Sequence, residues 1–106
     1  MAVQILKSTE FEKEVLQNQK VVLVDFFATW CMPCKMLGPV LEGVSETVKD
    51  YASVVKLDID ENMDLARKYG VMSVPTMIVV KNGVEAERMV GFRQANQIVE
   101  ALNRHK

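Results

Sequence analysis

The run Val21-Val22-Leu23-Val24-Asp25-Phe26-Phe27 constrains the fold more than any other stretch of the chain. It is apolar at odd and even positions alike, Asp25 excepted. A strand with one wet face alternates apolar and polar residues, whereas a strand covered on both faces reads as a near-continuous apolar run. The fold must therefore lay cover on both sides of this strand.

The rest of the chain supplies that cover. Val3, Ile5 and Leu6 predict a short first strand, and Thr9 and Glu12 stand at the spacing of a capping box. A helix should follow with Phe11, Val15 and Leu16 inward. Leu37, Val40, Leu41, Val44 and Val48 recur at intervals of three and four, one buried stripe of a second helix. Pro33 suits that helix's first turn, and Pro39 predicts a kink further along. Val54–Ile59 reads as a third strand. Asn62 is placed to cap a short helix carrying Leu65, Ala66 and Tyr69, and Gly70 to stop it. Thr76–Val80 is a fourth strand. Asn82-Gly83 is a strong hairpin turn, which sends Val84–Val90 back antiparallel. Gly91 marks a bulge or a close backbone approach, and a last helix begins near Gln94 with Ala95, Ile98, Val99 and Leu102 inward. The order βαβαβαββα predicts an α/β fold: a central, mixed, mostly parallel sheet with helices on both faces and an antiparallel edge. With 106 residues this is one domain, 1–106.

Between the second strand and the second helix lies Trp30-Cys31-Met32-Pro33-Cys34-Lys35, which holds both cysteines of the chain. A Cys-x-x-Cys at a strand-to-helix junction reads as a dithiol/disulfide redox site. A purely structural disulfide is the first alternative, but so short a loop contributes only roughly 2 kcal/mol, against about 3 for a 15-residue loop. Half of a zinc site is the second. Structural zinc takes four ligands, and the sole histidine, His105, reads as part of a C-terminal tail.

Composition narrows the function classes. The net charge is −1, from 13 basic and 14 acidic residues, with no charge block suited to nucleic acid or an anionic membrane. No apolar run approaches the ~20 residues that cross a bilayer. Met1–Lys7 lacks the long apolar region and cleavage site of a signal peptide. The expected location is the cytoplasm, where a catalytic disulfide is ordinary and a persistent one is not. The seven methionines read mostly as gap fillers in the core, with Met32 the exposed exception.

Two charged residues stand where burial is expected. An ionised Asp25 in its apolar run costs several kcal/mol unless paired or neutral. It is either a hydrogen-bonded structural carboxyl or a general base with a raised pKa. Lys56, mid-strand between Val55 and Leu57, is its natural charge partner, or else a snorkelling surface lysine.

Over its whole length the chain resembles the thioredoxin family. The resemblance rests on Val24-Asp25-Phe26, Trp30-Cys31-x-Pro33-Cys34-Lys35, Pro39, Lys56, Val74-Pro75-Thr76, Lys81-Asn82-Gly83 and Gly91, in that order and spacing. It implies the thioredoxin fold and a thiol–disulfide oxidoreductase that reduces protein disulfides. It makes Cys31 the nucleophile and Cys34 the resolving thiol, roles that the residues themselves also suggest. It favours Asp25 as the buried proton acceptor and implies a cis peptide bond before Pro75. Trp30, Met32, Pro33, Ser73, Val74, Pro75, Gly91 and Phe92 are then expected around the substrate groove. No metal and no bound cofactor are implied, because the Cys31–Cys34 pair itself holds the electrons. Implied partners are a flavoprotein thioredoxin reductase using NADPH, and clients such as ribonucleotide reductase and peroxiredoxins, served by a monomer in electron transport and cell redox homeostasis.

The chain departs from the family pattern at Met32, where glycine is usual, at Phe27 (often Trp), Ser73 (often Gly) and Phe92 (often Ala). Met32 and Phe92 are expected to enlarge an apolar docking patch and shift partner choice. Two rival readings stay open: a more oxidising oxidase or isomerase, kept alive by Met32, and a non-catalytic binding subunit on the same fold.

Overall fold

In the computed structural model, which describes residues 3–106, Val21–Phe27 forms a strand, here β2, with all seven residues buried. Around it, in chain order, stand β1 (Gln4–Ile5), α1 (Ser8–Phe11), α2 (Met32–Val48), β3 (Ala52–Asp58), α3 (Met63–Lys68), β4 (Thr76–Lys81), β5 (Val84–Val90) and α4 (Ala95–Asn103). α1 runs directly into one π-helical turn, Glu12–Leu16, closed by the Gln17 N–H donating to the Glu12 carbonyl at 2.9 Å.

The five strands lie in the order β1-β3-β2-β4-β5, so β2 is central. Alternation along β2 builds two cores, because successive side chains point to opposite faces. Val21 and Leu23 join Leu37, Leu41, Val44 and Val48 of α2, and Ile98 and Leu102 of α4, on one face. Val22, Val24 and Phe26 join Phe11, Val15 and Ala66 on the other. The double cover inferred from the apolar run is thus α2 and α4 on one side, and α1 and α3 on the other.

Pairings β1/β3 and β2/β3 are parallel, and β2/β4 and β4/β5 antiparallel. The sheet is mixed as expected, but the antiparallel part reaches one strand further inward than the terminal hairpin. The connection explains this. Residues 59–75 hold only one short helix and bring the chain back to the end where β3 finishes, so β4 starts there, with Thr76 opposite Phe26. That end gathers the last residue of β2, the first turn of α2, the entry to β4 and the exit of β5.

Several local signals give way to tertiary partners. The first helix starts before Thr9: the Glu10 carboxylate accepts from the Lys7 N–H at 2.8 Å, so the turn is fixed two residues earlier than the Thr9/Glu12 spacing suggests. Asn62 occupies the position before α3 without capping it, because its amide donates to the Asp58 carbonyl at 2.9 Å. α2 continues through Pro39 to Val48. His105 is no loose tail: its Nε2 lies 2.9 Å from Glu87 Oε1, beside the Arg104–Glu87 ion pair. Gly91 marks a close approach, its N–H donating to the Pro75 carbonyl at 2.8 Å, while the register shift falls between Val79 and Val80.

The hairpin turn behaves as its sequence demands. Asn82 and Gly83 both have positive φ, 52° and 79°, as a type I′ turn requires. A Cβ on Gly83 would also sit 3.1 Å from the Leu16 carbonyl oxygen. Gly83→Ala should therefore destabilise the protein by about 1–2 kcal/mol, from positive φ and crowding together. Urea unfolding measures this, and an unchanged midpoint would contradict the turn assignment.

Candidate active site

The site is built where β2 ends. Phe27, Ala28, Cys31 and Cys34 form a small buried cluster at that end of the sheet, with Ile59 and Val74 packed against it. Cys31 occupies the position that opens α2, in extended conformation, and Cys34 lies in its first turn. The two are joined as a disulfide with their Cα atoms 5.2 Å apart. The Cys34 N–H points at Cys31 Sγ from 3.2 Å. An unpaired amide at a helix start favours negative charge on whatever it faces. The arrangement therefore aims the α2 N-terminus at one sulfur.

Access to that sulfur is narrow. Cys31 is 5% exposed and Cys34 3%. Packing by Phe27, Ile59 and Val74 recesses the pair. Pro33 is exposed beside it. On the opposite wall the Val74–Pro75 peptide bond is cis, as the resemblance implies. The Val74 carbonyl oxygen lies 3.7 Å from Cys31 Sγ. Val74 is half-buried, Pro75 buried and Ser73 exposed, with the Ser73 carbonyl accepting from the Thr76 hydroxyl at 2.7 Å. Gly91 (φ 92°) is tied to Pro75 through the contact above. Phe92 stands only partly in this rim, since it packs against the α2/α4 core. It therefore adds less to an apolar patch than its sequence position suggests.

Trp30 is 67% exposed, not a core aromatic. Its indole N–H donates to Asp60 Oδ2 at 2.9 Å. Asp60 carries no motif of its own in the sequence. It is set by a local turn: the Asp60 N–H donates to Asp58 Oδ1 at 2.9 Å, and the Ile59 N–H ties the loop to the Phe27 carbonyl at 2.9 Å. The pattern Asp58-x-Asp60-x-Asn62 carries the Asp and Asn residues typical of such turns, which was the available signal.

The methionines overturn their expectation. Of the six among the described residues, Met77 and Met89 are buried, but Met32, Met36, Met63 and Met72 are all exposed. Helix periodicity explains part of this, because Met32 and Met36 fall on the outer face, opposite the Leu37–Leu41 stripe.

Asp25 lies under this corner. It follows Val21 and Leu23 on the α2 face of β2 and precedes Phe27 there by the same alternation. It is fully buried, and neither carboxyl oxygen finds a hydrogen-bond partner among the described residues. Burial pushes its pKa up from 3.8 to about 7, with the Lys56 charge pulling the other way. Lys56 is its register neighbour on β3. It does not close an ion pair, though: its ammonium lies 4.4 Å from the centre of the Phe27 ring. Partnership with Asp25 therefore reduces to a charge acting at a distance.

Among the described residues no group of three or more His, Cys, Asp or Glu side chains is arranged to hold a metal ion, and no helix is long and apolar enough to cross a membrane.

Comparison with known proteins points the same way as the geometry. The family model described as Thioredoxin matches residues 2–104. The chain is 45% identical to a thioredoxin of Bacillus subtilis (strain 168) over 101 residues, covering 95% of this chain and 97% of that protein. It is 44% identical to a thioredoxin of Rickettsia bellii (strain RML369-C) over 93 residues, 88% of this chain and 89% of the other. A thioredoxin of Staphylococcus aureus (strain Mu50 / ATCC 700699) is 45% identical over 101 residues, again 95% and 97%.

Proposed function

The chain belongs to the thioredoxin family and is a thiol–disulfide oxidoreductase, and on that footing we propose that it works as a reductant of protein disulfides in the cytoplasm. The observation that carries this reading is the Cys34 N–H, 3.2 Å from Cys31 Sγ at the mouth of α2. In the reduced protein that donor favours the thiolate of Cys31, the form that attacks.

Cys31 thiolate attacks one sulfur of a client disulfide. The client S–S bond breaks, a mixed disulfide forms, and the first client thiolate leaves. Asp25 takes the Cys34 proton. Cys34 thiolate then attacks Cys31 Sγ, the mixed disulfide breaks, and the second client thiolate leaves. The client has gained two electrons and the Cys31–Cys34 bond has formed. Holding both thiols in one helical turn makes the second step intramolecular. An extended client segment is proposed to lie along Ser73, Val74 and Pro75, between Trp30, Met32 and Pro33 on one side and Gly91 and Phe92 on the other. A flavoprotein reductase using NADPH restores the dithiol. Disulfide-forming enzymes such as ribonucleotide reductase and peroxiredoxins are the client class. Domain 1–106 acts as a monomer.

The test is the midpoint potential of the Cys31/Cys34 couple, with NADPH-driven insulin reduction in the presence of such a reductase. A couple more reducing than the cytosolic glutathione pool is expected. One well above that pool would make the protein an oxidant or isomerase and overturn the direction proposed.

A further inference from the structure

Three exposed thioethers flank the sulfur pair along the chain, Met32 and Met36 on α2 and Met72 in the loop that leads to Val74. Met32 follows Cys31 directly and is 64% exposed. Met36 lies one turn on along the same face of α2. Met72, at 96%, precedes by two residues the Val74 carbonyl that faces Cys31 Sγ at 3.7 Å. Met77 and Met89 are sealed in the core. We propose that the rim methionines, Met32 and Met72 foremost, are a modification site at which peroxides form methionine sulfoxide and thereby lower turnover of protein clients while leaving the disulfide chemistry intact. This rests on the reading that clients dock on the rim.

The chemistry balances with one peroxide per methionine. The thioether sulfur attacks a peroxide oxygen and the O–O bond breaks. That oxygen stays on sulfur, and the departing hydroxide takes the remaining proton to become water. Sulfur is oxidised by two electrons and the peroxide is reduced. Once Cys31 and Cys34 are joined, no thiol competes, and the exposed thioethers are the accessible reduced sulfur. The product converts a flexible apolar side chain into a polar one. A client that covers the rim must then desolvate the sulfoxide oxygen without a designed partner. One unpaired polar group of this kind weakens docking about tenfold. A small aromatic disulfide that reaches only Cys31 covers little of the rim and keeps its rate.

The disulfide form is treated with hydrogen peroxide, mapped by peptide mass spectrometry, and then reduced and assayed. The expected result is a gain of one oxygen at Met32 and Met72 well before Met77 and Met89. Insulin turnover should fall about tenfold, with 5,5′-dithiobis(2-nitrobenzoate) turnover unchanged. Recovery with methionine sulfoxide reductases supports the proposal. The Met32→Leu/Met72→Leu double variant should show a treated-to-untreated ratio near one for insulin, whatever its untreated rate. Oxidation of core and rim methionines at equal rates would overturn the proposal, as would unchanged insulin turnover after rim oxidation, parallel loss on both substrates, or a tenfold loss persisting in the double variant. Failure of the underlying reading looks different: the untreated protein would not reduce insulin at all.

Discussion

Cys31→Ser should abolish insulin reduction, lowering turnover by at least ~10³-fold, because a serine hydroxyl is neither ionised near neutral pH nor able to exchange with a disulfide. Cys34→Ser should fail differently. Cys31 keeps its place at the start of α2 and still attacks, but nothing resolves the mixed disulfide. That variant should accumulate one insulin chain per protein molecule, released by added reductant and visible by mass. The contrast separates the readings. A binding subunit that uses the fold as a clamp would leave binding intact in both variants and trap no covalent adduct. Trapping by Cys31→Ser and not by Cys34→Ser would exchange the roles given to the two sulfurs.

The double cover of β2 was legible because a run of seven residues with apolar side chains in both registers leaves the backbone few choices. The same is true of the α2 stripe and the Asn82-Gly83 turn, where one local rule decides. Legibility ended where tertiary pairing overrides local signals. The antiparallel entry of β4 follows from where residues 59–75 return the chain and not from any residue in β4. Asn62 has the right type for a cap, but Asp58 offers it a better partner. Glu10 and not Glu12 closes the first helix, because its carboxylate reaches the Lys7 N–H. At the site, the cysteines carry their own spacing and Pro75 was marked only by the family resemblance, whereas Asp60 becomes relevant only once β3 has brought it to Trp30. The methionines misled because composition says nothing of which face a side chain takes. Lys56 reads as Asp25's charge partner from its place mid-strand among apolar residues, and the register does set the two side by side. Its long stem carries the ammonium over Phe27 instead, where the aromatic face attracts a cation.

Asp25 supplies the second large effect, and its sign follows from burial. The folded protein holds this carboxyl near 7, whereas the unfolded chain releases its proton at 3.8. Between those values the native state binds the extra proton, so stability is greatest on the acid side and declines as pH rises, levelling off above about 7. At about 1.4 kcal/mol per pH unit, the full decline is about 4 kcal/mol, an order-of-magnitude figure. Asp25→Asn removes the titration while nearly keeping shape. Relative to the parent, it should change stability little at pH 4. At pH 8 it should gain about 2–4 kcal/mol, read by urea unfolding of the disulfide form at both values. A gain independent of pH would mean that the carboxyl does not titrate in this range. The same substitution removes the proposed proton acceptor. The resolving step in single-turnover insulin reduction should slow by roughly 10²-fold at pH 7. The parent should lose rate as pH falls through about 7, and the variant should lose that inflection. A variant that is stabilised at pH 8 yet retains the parent's inflection would show that Asp25 is buried at a cost to stability without serving as the base, and the proton from Cys34 would then have to leave by another route.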